Sequence, residues 1–175
     1  PIGWILVDDG WFQNNDRQLQ SFEPNSRQFK NGFKPTIEIL KKQYGIRYMG
    51  VWHALNGLWN GIDPASPLGK RFASSMFAWT QREQPDRDNS PLRTYHFIKP
   101  DSDSLNVFYN SWHLYLKQQG FDFVKIDNQL VVEKMAPDNY PIFTLADSMH
   151  RALNRSVEKH FNGAIINCMD MTADA

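Results

Sequence analysis

Two side chains of opposite charge lie two positions apart at the end of an apolar stretch, residues 121–127. Because alternate residues of a β-strand point to the same face, Lys125 and Asp127 share a face if this stretch is a strand. A nearby ammonium group favours the ionised form of a carboxylate and lowers its pKa, and an ionised carboxylate can act as a nucleophile. An ordinary ion pair at a strand end explains the same spacing equally well.

Other reactive side chains also follow short apolar stretches. Asp8 and Asp9 come directly after a run of four apolar residues, although the Asp9-Gly10 pair is also common in turns. His53 has the chemistry of a general base, but a single histidine at a strand end more often has a hydrogen-bonded structural role. Cys168 is a candidate nucleophile without an obvious histidine partner, and a buried free cysteine mainly behaves as a small apolar residue.

The pattern around these residues alternates between strand-like and helix-like segments. Apolar runs predict four strands at residues 4–7, 46–52, 121–127 and 164–169, and a polar loop follows the first. Three helices are predicted between them, one beginning near Pro35, one capped by Asp101 and one following Pro141. Glycine ends each helix just before the next strand, at Gly45, Gly120 and Gly163. Such repeats predict an α/β fold with a parallel sheet, either an open doubly wound sheet or part of an eight-stranded barrel.

A long polar segment from Gly57 to Lys99 interrupts this alternation. It is rich in Pro, Ser, Arg, Asp and Asn, and it includes the run 86–91. It leaves from the predicted carboxyl end of a strand, where α/β enzymes build their sites. Connections of this length are usually functional or partly disordered, so we expect the segment to contribute to a site.

Composition excludes several classes of function. Nineteen basic and nineteen acidic residues cancel, so no net charge favours nucleic acid or an anionic membrane. The single cysteine allows no internal disulfide, and no zinc spacing or phosphate-binding glycine loop is present, so we predict no metal and no cofactor. No signal peptide or membrane-spanning stretch is visible, which makes the cytoplasm the default location. Because both ends fall beside predicted strands, we expect residues 1–175 to be a fragment.

Four sequence blocks, in order, resemble one known family. The resemblance is to glycoside hydrolase family 36, in the branch of the raffinose synthases, seed imbibition proteins and alkaline α-galactosidases. The blocks are Asp8-Asp9-Gly10-Trp11, Trp52-His53-Ala54-Leu55 with Trp59-Asn60-Gly61, Val124-Lys125-Ile126-Asp127, and Cys168-Met169 with residues 172–175. A single Asp-Asp-Gly-Trp motif would be weak evidence for this family. Four blocks that occur in the family's order and span nearly the whole chain are strong evidence.

The resemblance implies a (β/α)₈ barrel and a retaining hydrolase that acts on α-galactosides such as raffinose-family oligosaccharides. It makes Asp127 the nucleophile, gives Lys125 hydrogen bonds to hydroxyls of the galactose ring, and places Asp8 and Asp9 at the O4 and O6 side of galactose. A carboxylate at the axial O4 can separate galactose from glucose, because a lost hydrogen bond to a charged group costs roughly 1.5–3 kcal/mol.

The same resemblance suggests four further substrate-binding residues. Trp11 and Trp52 would shape the apolar walls of the sugar subsite, His53 would lie beside them, and Cys168 would lie near O2 of the sugar. The family's acid/base aspartate lies on the strand after Cys168-Met169, so we expect about four of the eight strands here and no acid/base residue. A half barrel leaves two sheet edges unpaired, which predicts that the isolated chain is unstable or inactive.

Three other functions remain open at this point. A galactinol-dependent galactosyltransferase uses the same covalent intermediate, with an acceptor sugar bound by loops that include residues 57–99. A non-catalytic carbohydrate-binding derivative is a second possibility. A metal-dependent phosphohydrolase that uses Asp8, Asp9 and Asp127 fits the number of carboxylates but leaves the tryptophans unexplained.

Overall fold

The four predicted apolar runs form a parallel sheet in the computed structural model. The structure describes residues 2–83, 89–135 and 140–169, so residues 86–88 of the polar run 86–91, as well as Asp170 and Asp174, lie outside the described residues. The strands are β1 (Trp4–Val7), β2 (Phe12–Asn15), β3 (Gln18–Pro24), β4 (Tyr48–Ala54), β5 (Met76–Arg82), β6 (Leu92–Ile98), β7 (Phe123–Asp127) and β8 (Ile165–Asn167). The helices are α1 (Phe33–Tyr44), α2 (Pro67–Arg71), α3 (Ser102–Gln119), α4 (Val131–Met135) and α5 (Ile142–Phe161).

The parallel sheet has the strand order β1-β4-β7-β8, so its strands are neighbours in the order in which the chain makes them. Right-handed crossovers then place α1, α3 and α5 on one face, where α1 packs on α3 and α3 packs on α5. A doubly wound sheet would instead reverse its strand order at a switch point. Among the described residues the sheet therefore has the one-sided order of a β/α barrel.

The crossover helices begin and end mostly as the sequence predicts. The Asp101 carboxylate accepts a hydrogen bond from the Ser104 N–H at 2.8 Å and caps α3. Gly45 and Gly120 end α1 and α3 in the left-handed conformation. The third glycine was assigned wrongly, because α5 ends at Asn162, with φ of 51°, and Gly163 follows it. Asparagine tolerates this region better than other side chains with a Cβ.

Two antiparallel hairpins replace regions that the sequence indicated only as polar connections. The loop after β1 contains the hairpin β2–β3, and the segment 57–99 contains α2, a 3₁₀ turn (Ala73–Ser75) and the hairpin β5–β6. The sequence predicted neither of these hairpins. The backbone of His96 on β6 accepts a hydrogen bond from Ile62 N–H at 2.9 Å, which holds this hairpin against the loop after β4.

The two faces of the parallel sheet differ sharply in burial. Under the helices, Val51 and Val124 are fully buried, and Trp112 of α3 lies fully buried in the same core. On the opposite face Trp4 and Tyr48 are 56% and 54% exposed, beside Phe123. Large apolar residues exposed on one sheet face indicate a surface that is normally covered.

None of the helices among the described residues combines the length and the apolar composition that a membrane span requires.

Gly61 provides a test of how the hairpin is held. Its φ is +79°, and an added Cβ would collide with the backbone oxygen of His96. Gly10 has φ of +103° but no atom within 4 Å of its Cβ position, so it is a matched control for the backbone conformation alone. We expect Gly61→Ala to lower the free energy of unfolding by about 2 kcal/mol more than Gly10→Ala, measured by urea denaturation, because it adds a steric clash to the conformational cost. Equal losses for the two variants would contradict this packing.

Candidate active site

Asp127 occupies the carboxyl end of β7 and is held by two donors. The Trp52 indole N–H donates to one carboxylate oxygen at 2.8 Å, and the Asn128 backbone N–H donates to the other at 2.6 Å. Asn128 has a φ of 56°, a left-handed conformation that is uncommon for residues with a side chain. Asp127 is 7% exposed, so its carboxylate is a fixed group at the rim of the sheet.

Lys125 makes its ion pair with Asp8. The two side chains lie on the same face of the sheet as Asp127, and Lys125 Nζ is 2.9 Å from an Asp8 oxygen. The expected Lys125–Asp127 pairing is therefore replaced by a pair that joins β7 to the residue after β1. Partial burial opposes ionisation of Asp8, but the Lys125 hydrogen bond and charge and the Asp9 N–H together lower its pKa. The hydrogen bond to Asp8 raises the pKa of Lys125.

Asp9 accepts a hydrogen bond from Trp59, a residue that the sequence did not assign to the site. Trp59 Nε1 donates to an Asp9 oxygen at 2.8 Å, and its ring lies 5.5 Å from the Trp52 ring. The guanidinium of Arg17 lies 5.1 Å above the Trp59 ring. Trp59 belongs to the Trp59-Asn60-Gly61 block, so a signal for its role was present in the sequence.

Trp11 and Trp52 are more deeply buried than the predicted sugar walls would be. Trp11 is 2% exposed, stacks on Phe12, and donates its indole N–H to the Trp52 carbonyl at 2.9 Å. Trp52 is 1% exposed and contributes its indole N–H to Asp127. The structure thus gives both side chains supporting positions, while half-buried Trp59 is the indole at the surface of this site.

His53 lies on the opposite face of β4 from Trp52, in the core. It is fully buried, its ring lies 4.3 Å from Trp112, and its Nε2 is 2.9 Å from Nε2 of His113 on α3. The structure separates His53 from the acidic residues, because consecutive residues of a strand point to opposite faces. The predicted substrate contact does not fit this position. Burial lowers its pKa to about 4.

Cys168 reaches the site from the residue after β8. Burial raises the pKa of its thiol, and the Asp127 carboxylate adds to this by its charge and by accepting a hydrogen bond. A thiol with a raised pKa is a poor nucleophile at neutral pH. Gln129 links the ends of β7 and β8 by hydrogen bonds. Its side-chain Nε2 donates to the carbonyl oxygens of Ile126 and Cys168, each at 3.3 Å.

The three carboxylates Asp8, Asp9 and Asp127 are not arranged as metal ligands. In the described parts of the chain, no group of three or more His, Cys, Asp and Glu side chains is arranged to hold a metal ion. The contacts of Asp8, Asp9 and Asp127 include an ammonium group, indole N–H groups, backbone N–H groups and the Cys168 thiol. Such a set suits a ligand that offers hydroxyl groups to fixed carboxylates beside an aromatic ring.

The fold and this site together define an α/β protein with carboxylates and indoles grouped at the carboxyl edge of a parallel sheet, where proteins of this class bind their ligands. The family can be stated more closely. The chain belongs to the family described as raffinose synthase or seed imbibition protein Sip1, whose model matches residues 7–175.

Similar proteins include plant galactosyltransferases. The chain is 29% identical to the probable galactinol–sucrose galactosyltransferase 6 of Arabidopsis thaliana, in a match that covers 100% of this chain and 26% of that protein. The match to stachyose synthase of Pisum sativum is 26% identical and covers 83% of this chain and 18% of that protein. The chain thus spans about a quarter or less of the length of these relatives.

Similar solved structures include a bacterial α-galactosidase. TtGalA from Thermus thermophilus, in complex with p-nitrophenyl α-D-galactopyranoside, has a TM-score of 0.61 at 18% identity, covering 94% of this chain and 31% of that chain. The same enzyme in complex with stachyose has a TM-score of 0.59, also at 18% identity, and the match covers 94% of this chain and 32% of that chain. At this identity the likeness concerns the fold.

The buried pair of histidines predicts an acid-sensitive core. Burial lowers the pKa of both His53 and His113, and the charge of the neighbouring histidine adds to the effect on His113. Because the unfolded chain then binds more protons, stability is full above about pH 6.5 and falls as the pH drops towards 4, by up to about 1.4 kcal/mol per pH unit for each histidine.

Urea unfolding at a series of pH values measures this slope. We expect His113→Gln to remove a large part of the pH dependence of the free energy of unfolding. His160→Gln, at the half-buried end of α5, should leave most of that pH dependence in place. An unchanged slope in His113→Gln would contradict the assignment.

Proposed function

We propose that this chain forms part of a retaining enzyme that cleaves α-galactosides, with Asp127 as the nucleophile. The observation that carries the proposal is the fixed carboxylate of Asp127, held by Trp52 and Asn128 on the sheet face that also carries the Lys125–Asp8 pair. We further assign the chain to the family 36 branch of glycoside hydrolases, on the four ordered sequence blocks.

The sheet is interpreted as four consecutive strands of a (β/α)₈ barrel. Its sequential strand order, its helices on one face and the exposed Trp4 and Tyr48 on the other support this interpretation. In a closed barrel the bare face becomes the packed interior, and all strands deliver their carboxyl ends to one rim. The site described above lies at that rim.

The reaction proceeds in two displacements. An Asp127 oxygen attacks the anomeric carbon, the bond from that carbon to the leaving oxygen breaks, and a galactosyl-enzyme ester forms. In the second step an oxygen nucleophile attacks the same carbon from the opposite side and releases Asp127, so the α configuration is retained. The two hydrogen bonds to Asp127 hold its carboxylate in a fixed orientation before the reaction starts. This preorganisation lowers the free-energy cost of reaching the transition state.

Recognition of galactose is assigned to the exposed carboxylates. Asp8 is about half exposed, and Asp9 lies beside the Trp59 ring, so both can accept hydrogen bonds from sugar hydroxyls. Lys125 holds Asp8 in its ionised form and can donate to a hydroxyl itself. Cys168 remains the candidate for the O2 side, as a neutral thiol.

A retaining reaction also needs a carboxylic acid about 5–5.5 Å from the nucleophile to protonate the leaving oxygen. Asp8 and Asp9 are engaged by Lys125 and Trp59, so neither is assigned to this step. We propose that another part of the complete catalytic domain supplies it.

Galactosyl transfer is the second candidate. The named galactosyltransferases and stachyose synthase among the similar proteins favour it, whereas the solved α-galactosidase shares only the fold. With galactinol and sucrose as substrates, a transferase produces raffinose, while a hydrolase releases galactose from raffinose. Product analysis of the complete enzyme by chromatography separates the two.

Removal of the nucleophile gives the decisive variant. In the complete enzyme that carries this segment, we expect Asp127→Ala to lower kcat/KM on p-nitrophenyl α-galactoside by about 10³-fold or more, equivalent to about 4 kcal/mol of transition-state stabilisation. Added azide should restore turnover and give the β-galactosyl azide, because azide attacks from the side that Asp127 vacates.

The variant Asp147→Ala is the control, since Asp147 lies on α5 away from the site and pairs there with Arg151. An α-galactosyl azide from Asp127→Ala would identify Asp127 as the acid/base residue instead. Undiminished activity would point to a non-catalytic binding role for the chain.

A further inference from the structure

A second cavity adjoins the site and has no role in the cleavage step. Its volume is about 360 Å³, near the lower end of the roughly 300–1,000 Å³ of small-molecule pockets. It lies between the hairpin β5–β6, the Asp16-Arg17 turn of the hairpin β2–β3, and Trp59. A volume of this size suits a ligand of one or two sugar rings.

One face of the hairpin β5–β6 supplies most of the lining. Trp79 pairs with Tyr95 and Gln81 pairs with Arg93 across the two strands, so the four side chains lie on the same face. Thr80, one residue from Gln81, lies on the other face and is exposed, with a hydrogen bond to Thr94. The cavity therefore has an aromatic floor beside polar side chains, which suits stacking of a sugar ring and hydrogen bonding of its hydroxyls.

The charges of the cavity neutralise one another. The Arg93 guanidinium lies 2.8 Å from a carboxylate oxygen of Asp16 and 2.8 Å from one of Glu83, on two different hairpins. Arg17 lies over the Trp59 ring. Among the described residues of the lining, two cations and two anions leave no net charge, which favours a neutral ligand with many hydroxyl groups over a phosphate or a carboxylate.

The walls of the cavity are held in place by the backbone. Asn60 donates its side-chain N–H to the Asp16 carbonyl at 2.8 Å and its backbone N–H to the Arg17 carbonyl at 3.0 Å. On the other side, Ile62 holds the hairpin β5–β6 through the His96 carbonyl. A preformed cavity of this kind loses little conformational entropy when it binds a ligand.

The cavity and the proposed galactose site share Trp59. The indole N–H of Trp59 binds Asp9 at the galactose site, and the Trp59 ring also lines the cavity. Val131, four residues after Asp127 in the chain, lines it from the other side. A ligand in the cavity is therefore next to the residues assigned to the sugar undergoing transfer.

We propose that this cavity is the acceptor subsite, where a neutral mono- or disaccharide binds and presents a hydroxyl to the galactosyl-enzyme. This inference rests on the proposed function for the position of the galactosyl group. When the acceptor reacts, its hydroxyl oxygen bonds to the anomeric carbon and the ester bond to Asp127 breaks. The hydroxyl proton passes to the carboxylate that protonated the leaving oxygen in the first step, which we propose another part of the catalytic domain supplies. The hairpin β5–β6 thereby determines whether a sugar or water completes the reaction.

Sucrose binding to the complete enzyme tests the inference directly. Binding is measured by saturation-transfer difference NMR and calorimetry in the Asp127→Asn background, where we expect sugar transfer to have stopped. Gln81→Trp fills the cavity, and we expect it to weaken sucrose binding at least 10-fold. Thr80→Trp places the same side chain one residue away on the outer face, and sucrose binding should be unchanged.

Arg93→Lys is the second variant, in case Gln81→Trp does not fold as judged by circular dichroism. It keeps the charge but loses the planar fork that joins Asp16 and Glu83, so it should also weaken sucrose binding. Failure of sucrose to bind, or equal binding by folded Gln81→Trp and Thr80→Trp, would overturn the inference. The two hypotheses fail separately, because this experiment measures sucrose binding alone. If the Asp127→Asn enzyme stays active, Asp127 is not the nucleophile, but the binding result is unaffected.

Discussion

The hydrogen bond from the Trp52 indole to Asp127 is the interaction on which the site depends. It exists because β4 and β7 are parallel neighbours in a register that pairs Ala54 with Asp127 and Trp52 with Lys125. A shift of one residue would turn Trp52, Lys125 and Asp127 to the other face, under the helices. The apolar residues of that face, such as Val51 and Val124, make such a shift costly, so the packing of the core also fixes the direction of the carboxylate.

The same face organises the remaining contacts of the site. Asp8 and Asp9 follow β1, where Lys125 and Trp59 bind them, and Cys168 follows β8 beside Asp127. These side chains therefore come from the ends of three strands, β1, β7 and β8, and from the loop after β4. Trp59 connects the two regions, since its indole N–H binds Asp9 and its ring lines the cavity beside the hairpin β5–β6.

Much of this arrangement could be predicted from the sequence, because short apolar runs that directly follow helix-ending glycines are typical of parallel strands. The alternation in Phe77–Trp79 and Tyr95–Phe97 is equally strand-like, but the polar and proline-rich residues around it concealed the hairpin. Periodicity indicates that Trp52 and His53 point to opposite faces without showing which face holds the site, so the position of His53 in the core could not be predicted. The ion-pair partner of Lys125 could not be predicted from the sequence either. Asp8 lies 117 residues away, and only the folded sheet brings the two side chains together.

The central claim, that Asp127 becomes covalently bonded to galactose, is tested most directly by trapping the intermediate. A 2,2-difluorinated α-galactoside with a dinitrophenolate leaving group needs no acid to depart, and fluorine slows the second displacement. Peptide mass spectrometry of the treated complete enzyme should find one galactosyl adduct, on the peptide that contains Asp127. An adduct on a different carboxylate, or steady turnover of α-galactosides with no adduct at Asp127, would contradict the account.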